Sequence, residues 1–465
     1  MTAMADASGL FGRTIAPLRR ALFGGDADEG TGNLSANGLD KLREQIDDCL
    51  KHKGGEVSAR NRAVELGNTY LRLSTEGRLK FLTLLAEDYG VDNEALNAAL
   101  RSLDTAGDAL ERHDAERQLK AALEPRRVML LRQFNAVPEG VKFLVDMRAE
   151  LLPMLGNDPA LRALNDDLRD LLASWFDIGF LDLAQITWDA PASLLEKLIA
   201  YEAVHEIQSW ADLKNRLDSD RRCFSFVHPN MPDEPLIFVE VALVNGIADN
   251  VHDLLDEMAP ATDPETADTA IFYSISNCQR GLAGVGFGDF LIKRVVDRLS
   301  QRMPNVKTFA TLSPIPGFRK WLDQQLESDA EILTDAQARL IKAIARTGST
   351  NEAFRKLISD PKWPNDHDIE AAVKDPLMAL CARYLAKEKD SRDRPLDPVA
   401  RFHLNNGARI ERLNWLGDRS ASGLRQSAGM MVNYLYNLDH IERNHEAYRG
   451  EGRIAAASSV TRLAK

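Results

Sequence analysis

A serine followed by two prolines is the first feature of the sequence that could do chemistry. Ser313 lies in TLSPIPGFRKWL, between a predicted buried strand, KTFATLS, and a predicted helix that opens with Pro314 and Pro316. Two prolines remove two backbone donors from a helix start, so this turn is held at a cost. Ser313 is either the N-cap of the helix, with Pro314 at its first position, or a hydroxyl placed to contact a substrate. The segment alone leaves both interpretations open.

A glycine-rich loop is the second candidate site. The segment QRGLAGVGFGD carries Gly281, Gly284, Gly286 and Gly288 immediately before a predicted helix. Glycines let backbone N–H groups approach a phosphate, and a helix N-terminus adds partial positive charge. The loop has neither the Lys-Ser/Thr of a Walker loop nor the GxGxxG and later acid of a Rossmann loop. A tight turn with structural glycines is the alternative to a phosphate site.

The elements that must position these residues differ between the two halves of the chain. Up to about residue 190, apolar residues recur at helical spacing, as in GRLKFLTLLAEDYG. Beyond it, strands are predicted at RCFSFVHP, EPLIFVEVALV, AIFYSISNCQ, VKTFATLS and ARIERLNWL, with a further segment at MMVNYLYNL. A helix over DFLIKRVVDRLSQRM makes residues 270–313 a strand–loop–helix–strand unit, and helical sequence fills about 317–390. The pattern predicts a helical domain over residues 1–190 and a mixed α/β domain with a helical insertion over 191–465.

Length, net charge and cysteine content limit the domain number and the kinds of molecule that the protein can bind. The length of 465 residues suits two or three domains. A formal net charge of −12, from 58 basic and 70 acidic side chains, argues against nucleic acid as the main partner. The four cysteines lie far apart without a CxxC pattern, so we expect buried free thiols and no metal site. No apolar run approaches the ~18–20 residues of a membrane span.

The N-terminal segment MTAMADASGLFGRTIAPLRRALFGG carries arginines and a single acid, Asp6. It resembles an organelle-targeting segment but has no secretory apolar region. We expect a frayed tail and a cytoplasmic protein.

Three long strings carry a more specific signal. FGDFLIKRVVDRLSQRMPNVKTFATLSPIPGFRKWL contains Ser313, PVARFHLNNGARIERLNWLGD contains His403, and GLRQSAGMMVNYLYNLD contains Tyr434 and Tyr436. Together they resemble the malonyl-CoA decarboxylase family, most densely over residues 270–322 and 397–436. LSPIPGFxKWL and FHLxNGA are long and unusual, so this resemblance is more specific than the spacing of the glycines.

The resemblance implies an α+β protein whose helical N-terminal domain, expected to serve oligomerisation, precedes a GNAT-like catalytic domain. It implies conversion of malonyl-CoA to acetyl-CoA and carbon dioxide without a metal or organic cofactor, in a homodimer or homotetramer. The glycine loop resembles the pyrophosphate loop of GNAT acyltransferases, which holds coenzyme A.

Residue by residue, the resemblance implies that Ser313, His403 and Tyr436 are catalytic. The substrate would be bound by Arg280, Ala283, Gly284, Val285, Gly286, Phe287, Gly288, Asp289, Ser313 and His403. The chain departs from the family at Gly286, where some relatives carry an acidic residue, so no role of that acid is transferred.

These residue types suit the reaction. Loss of carbon dioxide from a malonyl thioester requires an oriented carboxylate, hydrogen-bond donors to the enolate oxygen and a proton for the α-carbon. We assign Ser313 to orienting the carboxylate and relaying a proton, and His403, expected to titrate near neutrality, to protonating the carbon. Tyr436 would donate a hydrogen bond to either residue, and the thioester itself would be the electron sink.

Two other functions stay open at this point: a GNAT-type acyltransferase that uses acetyl-CoA, and a non-catalytic sensor of malonyl-CoA. Among the other histidines, His228 is predicted to be structural and His205 to lie on a helix face.

Overall fold

The computed structural model describes residues 34–51, 55–176, 178–286, 291–328 and 331–465. Phe287, Gly288 and Asp289 of the predicted ligand loop lie outside these residues. The described chain divides into two compact units. The first comprises residues up to 182 with 227–235 and the loop up to 286, and the second comprises 183–226, 236–278 and the described residues from 291.

The first unit is helical. Its helices are Ala36–Leu50, Gly55–Leu71, Thr75–Asp88, Asn93–Thr105, Ala109–Ala122, Arg126–Gln133, Gly140–Leu151 and Pro159–Trp175. Several begin at a serine or aspartate whose side chain accepts backbone N–H groups of the first turn, as Asp158 does from Ala160 and Leu161. Aromatic rings fill the core, where Tyr70 and Phe143 meet edge to face at 5.7 Å. Apolar residues recur at helical spacing in the sequence because each helix turns one apolar side toward this core.

The second unit is built on a mixed sheet. Its strands are β1 (Asp182–Ile186), β2 (Arg221–Val227), β3 (Ile237–Val244), β4 (Thr269–Asn277), β5 (Thr308–Thr311), β6 (Ser313–Pro314), β7 (Arg409–Asn414) and β8 (Met431–Leu435). Their order is β1-β2-β3-β4-β5-β8-β6, and β7 also pairs with β8. β4 and β5 run parallel, joined by the helix Leu291–Arg302, whereas β2, β3 and β4 are antiparallel neighbours.

Helices flank this sheet and fill the predicted insertion. Leu195 and Leu198 pack with Cys223 and Phe238 of the sheet. The helix Leu291–Arg302 buries one apolar face, made of Ile292, Val295, Val296 and Leu299. Between β6 and β7 lie the helices Phe318–Glu327, Asp335–Ala345, Thr350–Ser359, His367–Ala386 and Pro398–Asn405. The other helices of this unit are Ala192–Tyr201, Trp210–Asn215, Val251–Leu255, Ala421–Ser427, Ile441–Glu451 and Ser458–Leu463.

The predicted fold class is confirmed: a helical N-terminal region precedes a mixed α/β region with a helical insertion. The cysteines Cys49, Cys223, Cys278 and Cys381 are free and buried, as predicted. Among the described residues, no helix combines the length and the apolarity that crossing a membrane requires.

The structure corrects the prediction for the turn at Ser313. Ser313 and Pro314 form β6, paired with Val432 and Met431 of β8, and the next helix begins at Phe318 with Gly317 before it. Ser313 is therefore not a helix N-cap. A residue that precedes a proline avoids the α conformation, which affects both Ser313 and Ile315, so the chain continues extended. Pro314 lacks an N–H group and lies where β6 pairs only with β8 among the described strands.

Two smaller predictions are also wrong. Residues 182–186 form β1, although the sequence pattern predicts helices up to residue 190. His205 does not lie on a helix, because the preceding helix ends at Tyr201. Glu202 accepts hydrogen bonds from the backbone N–H groups of Val204 and His205, both at 2.7 Å, and holds this segment as a turn.

β4 and β5 diverge beside Ser313. They pair only from Thr269 to Phe272 on β4 and from Thr308 to Thr311 on β5. The N–H group of Leu312 still donates to the carbonyl of Phe272 at 2.9 Å, and β4 then continues to Asn277 with β3 as its paired neighbour. A fork thus opens in the sheet, with β4 on one side and β6 on the other.

Candidate active site

Ser313, His403 and Tyr436 form one hydrogen-bonded line. The Ser313 hydroxyl lies 3.2 Å from His403 Nε2, and His403 Nδ1 lies 2.7 Å from the Tyr436 hydroxyl. Ser313 also donates a hydrogen bond to Thr311 Oγ1 at 2.8 Å. All four side chains are buried. The structure therefore brings together the three residues that the sequence predicts as catalytic.

β5 and β8 fix the position of Ser313 through Thr311. The carbonyl of Thr311 accepts a hydrogen bond from Asn433 Nδ2 at 2.7 Å, and its hydroxyl accepts one from the Tyr434 N–H at 3.1 Å. Sequence reasoning missed Thr311. The signal was present, because residues two apart on extended chain face the same side, and Thr311 and Ser313 have this spacing.

A short helix presents His403. The helix Pro398–Asn405 starts at Asp397, whose Oδ1 accepts hydrogen bonds from the N–H groups of Val399 and Ala400, both at 2.9 Å. It ends at Asn405, and Gly407, two residues further on, has a φ of +78°. A Cβ at Gly407 would lie 2.2 Å from the carbonyl oxygen of Ile441, so only glycine fits. The FHLNNGA string thus contains both the imidazole and the turn that stops its helix.

Tyr434 is a second tyrosine in contact with His403. Its ring stacks on the imidazole with 4.4 Å between centroids and 25° between planes. Its hydroxyl is buried without a hydrogen-bond partner among the described residues. The sequence drew attention to Tyr434 but left it without a role.

Burial determines the charge state of this site. Desolvation lowers the pKa of His403 to about 3, so the imidazole is neutral at pH 7. Desolvation also raises the pKa values of Tyr434 and Tyr436 well above their ordinary value. The prediction that His403 titrates near neutrality is therefore wrong for this environment, because the sequence does not reveal how completely the ring is buried.

A cavity of about 240 Å³ lies in the fork and reaches Ser313 and His403. Its described lining consists of Val204, Ile237, Phe272, Tyr273, Ile275, Asn277, Ser313, Pro314, Pro398, Val399, Phe402 and His403. This lining is mostly apolar, and none of these residues is a lysine or arginine. A few polar groups in an apolar cavity is the usual composition of a small-molecule site.

The glycine loop lies in the first unit. Residues Arg280–Leu282 form a single 3₁₀ turn, and Arg148 donates a hydrogen bond to the carbonyl of Gly281 at 2.6 Å. A Cβ at Gly281 would lie 1.7 Å from the carbonyl oxygen of Val145, so this glycine serves close packing. Gly284 has a φ of +76°. At Gly286, a Cβ would have no atom of the described residues within 4 Å.

The exposure of the loop varies along its length. Arg280, Ala283, Gly284 and Gly286 are exposed, whereas Val285 is buried. Of the cations that follow the loop, Lys293 pairs with Glu442 at 2.9 Å, and the guanidinium of Arg294 lies 5.6 Å from the Phe226 ring centroid. These two side chains thus have partners within the second unit.

His228 has the structural role that the sequence predicts. Its Nε2 lies 3.0 Å from the carbonyl oxygen of Trp175, and its Nδ1 accepts a hydrogen bond from the Asn230 N–H at 3.1 Å. Its ring packs on Phe176 with 4.8 Å between centroids.

Comparison with known proteins identifies the family. The sequence-family model described as the malonyl-CoA decarboxylase C-terminal domain matches residues 179–465. The family model described as the malonyl-CoA decarboxylase N-terminal domain matches residues 89–176. The chain belongs to the malonyl-CoA decarboxylase family. The predictions of this family and of its activity, a carboxy-lyase acting on malonyl-CoA, are confirmed.

Relatives and solved structures agree with this membership. The chain is 38% identical to the mitochondrial malonyl-CoA decarboxylase of Anser anser anser, over 86% of this chain and 83% of that protein. It is 39% identical to the mitochondrial enzyme of Mus musculus, over 83% and 81%. The crystal structure of malonyl-CoA decarboxylase from Rhodopseudomonas palustris superposes with a TM-score of 0.82 at 44% identity, covering 91% of this chain and 99% of that one. The crystal structure of malonyl-CoA decarboxylase from Agrobacterium vitis superposes with a TM-score of 0.81 at 42% identity, covering 91% of this chain and 100% of that one.

Proposed function

We propose that the chain converts malonyl-CoA to acetyl-CoA and carbon dioxide in the cavity beside Ser313 and His403, with Tyr436 as the third catalytic residue. The observation that carries this proposal is the buried hydrogen-bonded line from Tyr436 through His403 to Ser313, which ends at the wall of a mostly apolar cavity. Each residue is within hydrogen-bond reach of its neighbour, as proton transfer requires.

The open edge of β4 supports binding of the extended pantetheine arm. Beyond Phe272, β4 has no strand partner on the β5 side among the described residues, and Ile275 and Asn277 of this segment line the cavity. A pantetheine arm contains two amides, which can pair with backbone groups at a strand edge. The loop residues Arg280, Ala283, Gly284, Val285, Gly286, Phe287, Gly288 and Asp289 stay our proposed contacts for coenzyme A, on the basis of the sequence.

The apolar lining favours loss of carbon dioxide. A malonyl carboxylate in this cavity gives up its hydration and finds no lysine or arginine among the described lining residues. Carbon dioxide leaves without charge, and the remaining negative charge is spread over the thioester enolate. The step therefore relieves the cost of burying a localised charge. The Ser313 hydroxyl orients the carboxylate.

The reaction consumes one proton, which His403 supplies. The imidazole is neutral in its buried environment, but a malonyl carboxylate beside it favours the protonated form, because a nearby opposite charge raises the pKa of histidine. The bond between the α-carbon and the carboxylate then breaks, and its electron pair passes to the thioester oxygen. Protonated His403 delivers its proton to the α-carbon, with Ser313 as the relay, and returns to the neutral form.

This sequence of steps needs no metal or organic cofactor, because the thioester accepts the electron pair. That expectation is part of the proposal.

The direct test is to incubate the purified chain with malonyl-CoA alone and to follow acetyl-CoA and carbon dioxide. Turnover without an added acceptor is the expected result. A requirement for an amine acceptor would indicate an acyltransferase, and binding without turnover would indicate a sensor. Either result would overturn the proposal.

The roles of the two central residues are tested by substitution. Ser313→Ala and His403→Ala should each lower kcat by ~10²-fold or more, the range for lost proton-transfer catalysis. Ser422→Ala and His113→Ala, at exposed positions, are the matched controls and should leave kcat unchanged. Wild-type rates in either of the first two variants would refute the corresponding role.

We further propose a homodimer or homotetramer in which the helical domain supplies contacts. Light scattering at micromolar concentration tests this, and a monomer there would contradict it. A cytoplasmic location stays a prediction, since the names of the goose and mouse relatives place those proteins in mitochondria. Fractionation of cells that express the full chain would decide the compartment.

A further inference from the structure

Asp397 is a buried carboxylate at the start of the helix that carries His403. Its side chain is fully buried, and its Oδ1 accepts the N–H groups of Val399 and Ala400. Pro398 and Val399, the next two residues, line the cavity. Nothing in the mechanism above uses this carboxylate.

The second carboxylate oxygen faces the turn that follows Ser313. Oδ2 is buried without a hydrogen bond of normal geometry. A Cβ built on Gly317 would lie 3.7 Å from Oδ2 and 2.1 Å from the hydroxyl of Tyr384. The N–H group of Gly317 partly offsets the effect of burial on the pKa of Asp397. Burial, with Asp397 close by, raises the pKa of Tyr384. Asp397 therefore stands between the His403 helix and the PIPG turn.

An ordinary helix cap does not need this burial. Asp366 caps the helix His367–Ala386 in the same way, accepting the N–H groups of Asp368 and Ile369, both at 3.1 Å, yet its side chain is exposed. Burying a carboxylate costs free energy unless hydrogen bonds or charges compensate it fully. The burial of Asp397 therefore calls for an explanation beyond capping.

We propose that Asp397 is a positioning residue, which holds the Ser313 turn and the His403 helix at the spacing that decarboxylation requires. This inference rests on the proposed function. Only the ionised carboxylate offers acceptors both to the helix start and to the Gly317 turn. Protonation replaces one acceptor by a donor, which would then face a backbone N–H group, and the two segments would lose their common anchor.

The surroundings of Asp397 make this anchor sensitive to pH. The groups that face it are Tyr384 and Cys381 from the helix His367–Ala386, Tyr434 from β8 and Arg401 on its own helix. Burial raises the pKa of Asp397 to about 6, although the backbone N–H groups that it accepts and, to a smaller extent, the charge of Arg401 oppose this shift. The protonated fraction grows as pH falls through this value, so activity should fall with it. In the substrate-free chain the pKa of His403 is about 3, so its own titration, as reported by kcat/KM, lies well below this range.

The experiment compares Asp397→Asn and Asp397→Ala with the matched cap variants Asp366→Asn and Asp366→Ala. Asparagine retains capping but not charge, so Asp397→Asn mimics the protonated state at every pH. At pH 8 we expect Asp397→Ala to lower kcat by about 10²-fold, the effect of a misplaced catalytic pair, and Asp397→Asn to lower it by a smaller factor. KM for malonyl-CoA should change less than kcat in both variants. The Asp366 variants should keep the wild-type kcat.

The pH profile separates positioning from a merely structural role. The kcat/KM of the wild type should decrease as pH falls through about 6, which forms the acid limb of its pH profile. Asp397→Asn should lack this acid limb, because its side-chain amide cannot titrate. Asp397→Asn should also unfold at no lower temperature than wild type at pH 8, because it removes a buried charge.

An unchanged acid limb in Asp397→Asn, or kcat losses no larger than in the Asp366 variants, would overturn the inference. If Ser313→Ala and His403→Ala also kept full activity, the proposed function would fail with it. Inactive Ser313 and His403 variants beside a normal Asp397→Asn would refute the positioning role alone.

Discussion

At the scale of single residues, four polar side chains are buried together without a formal charge. Ser313, Thr311, His403 and Tyr436 satisfy one another by hydrogen bonds, and desolvation keeps His403 neutral. Such a network is stable only while each member has its partner, because an unpaired polar group is costly in a medium of low dielectric constant. A change at any one position should therefore affect its neighbours.

Thr311 is the member best suited to test this dependence. Thr311→Val keeps the shape of the side chain but removes the acceptor for the Ser313 hydroxyl and for the Tyr434 N–H. We expect kcat to fall about 2- to 13-fold, as a lost hydrogen bond of about 0.5–1.5 kcal/mol implies, and the free energy of unfolding to fall by about 1–3 kcal/mol.

Thr311→Ser keeps the hydroxyl and serves as the control, with kcat near the wild-type value. Steady-state kinetics and urea unfolding measure the two effects separately. If Thr311→Val turned over malonyl-CoA like wild type, Ser313 would not depend on this neighbour.

At the scale of elements, the glycines of the ligand loop divide into two kinds. Gly281 touches the backbone of the helix Gly140–Leu151, whereas the space around Gly286 is open among the described residues. A side chain at Gly281 must displace a helix, but one at Gly286 extends into that space.

We therefore expect Gly281→Ala to lower the unfolding temperature by several degrees and Gly286→Ala to leave it within about 1 °C of wild type, since overpacking costs about 1–3 kcal/mol. If the loop binds coenzyme A, Gly286→Ala should raise KM for malonyl-CoA while leaving the unfolding temperature unchanged. Thermal unfolding and KM are the measurements. Equal unfolding temperatures for the two variants would contradict the packing role of Gly281.

At the scale of the whole molecule, a buried cluster of ionisable side chains makes the stability of the fold depend on pH. Arg216 binds Asp212 and Glu240, with its Nη1 3.1 Å from Glu240 Oε2, and all three side chains are buried. Burial, with Glu202 close by, raises the pKa of Glu240 to about 8.

This raised pKa predicts how stability depends on pH. Between its ordinary pKa of 4.5 and about 8, Glu240 holds a proton in the folded chain that the unfolded chain releases. Its contribution is therefore fully present below pH 4.5 and is lost as pH rises through about 8. We expect the unfolding temperature to fall from about pH 6 to about pH 9, and Glu240→Gln to reduce this slope whatever its effect on absolute stability.

Differential scanning calorimetry across this pH range measures the slope. Glu116→Gln, at an exposed position, is the control and should leave it unchanged. A slope in Glu240→Gln as steep as in wild type would show that other groups cause the pH dependence.

The sequence by itself determined the helical first region, the strands β2 to β5 and β7 of the second region, and the family, because the periodicity of apolar residues and the strings LSPIPGFxKWL and FHLxNGA are local properties of the chain. It also singled out Ser313, His403 and Tyr436. Only the tertiary structure decided that Ser313 belongs to a strand and contacts Thr311, that Tyr434 stacks on His403, and that Asp397 is buried beside the Gly317 turn. Charge state was equally hidden, since the pKa of His403 depends on desolvation by residues from distant parts of the chain.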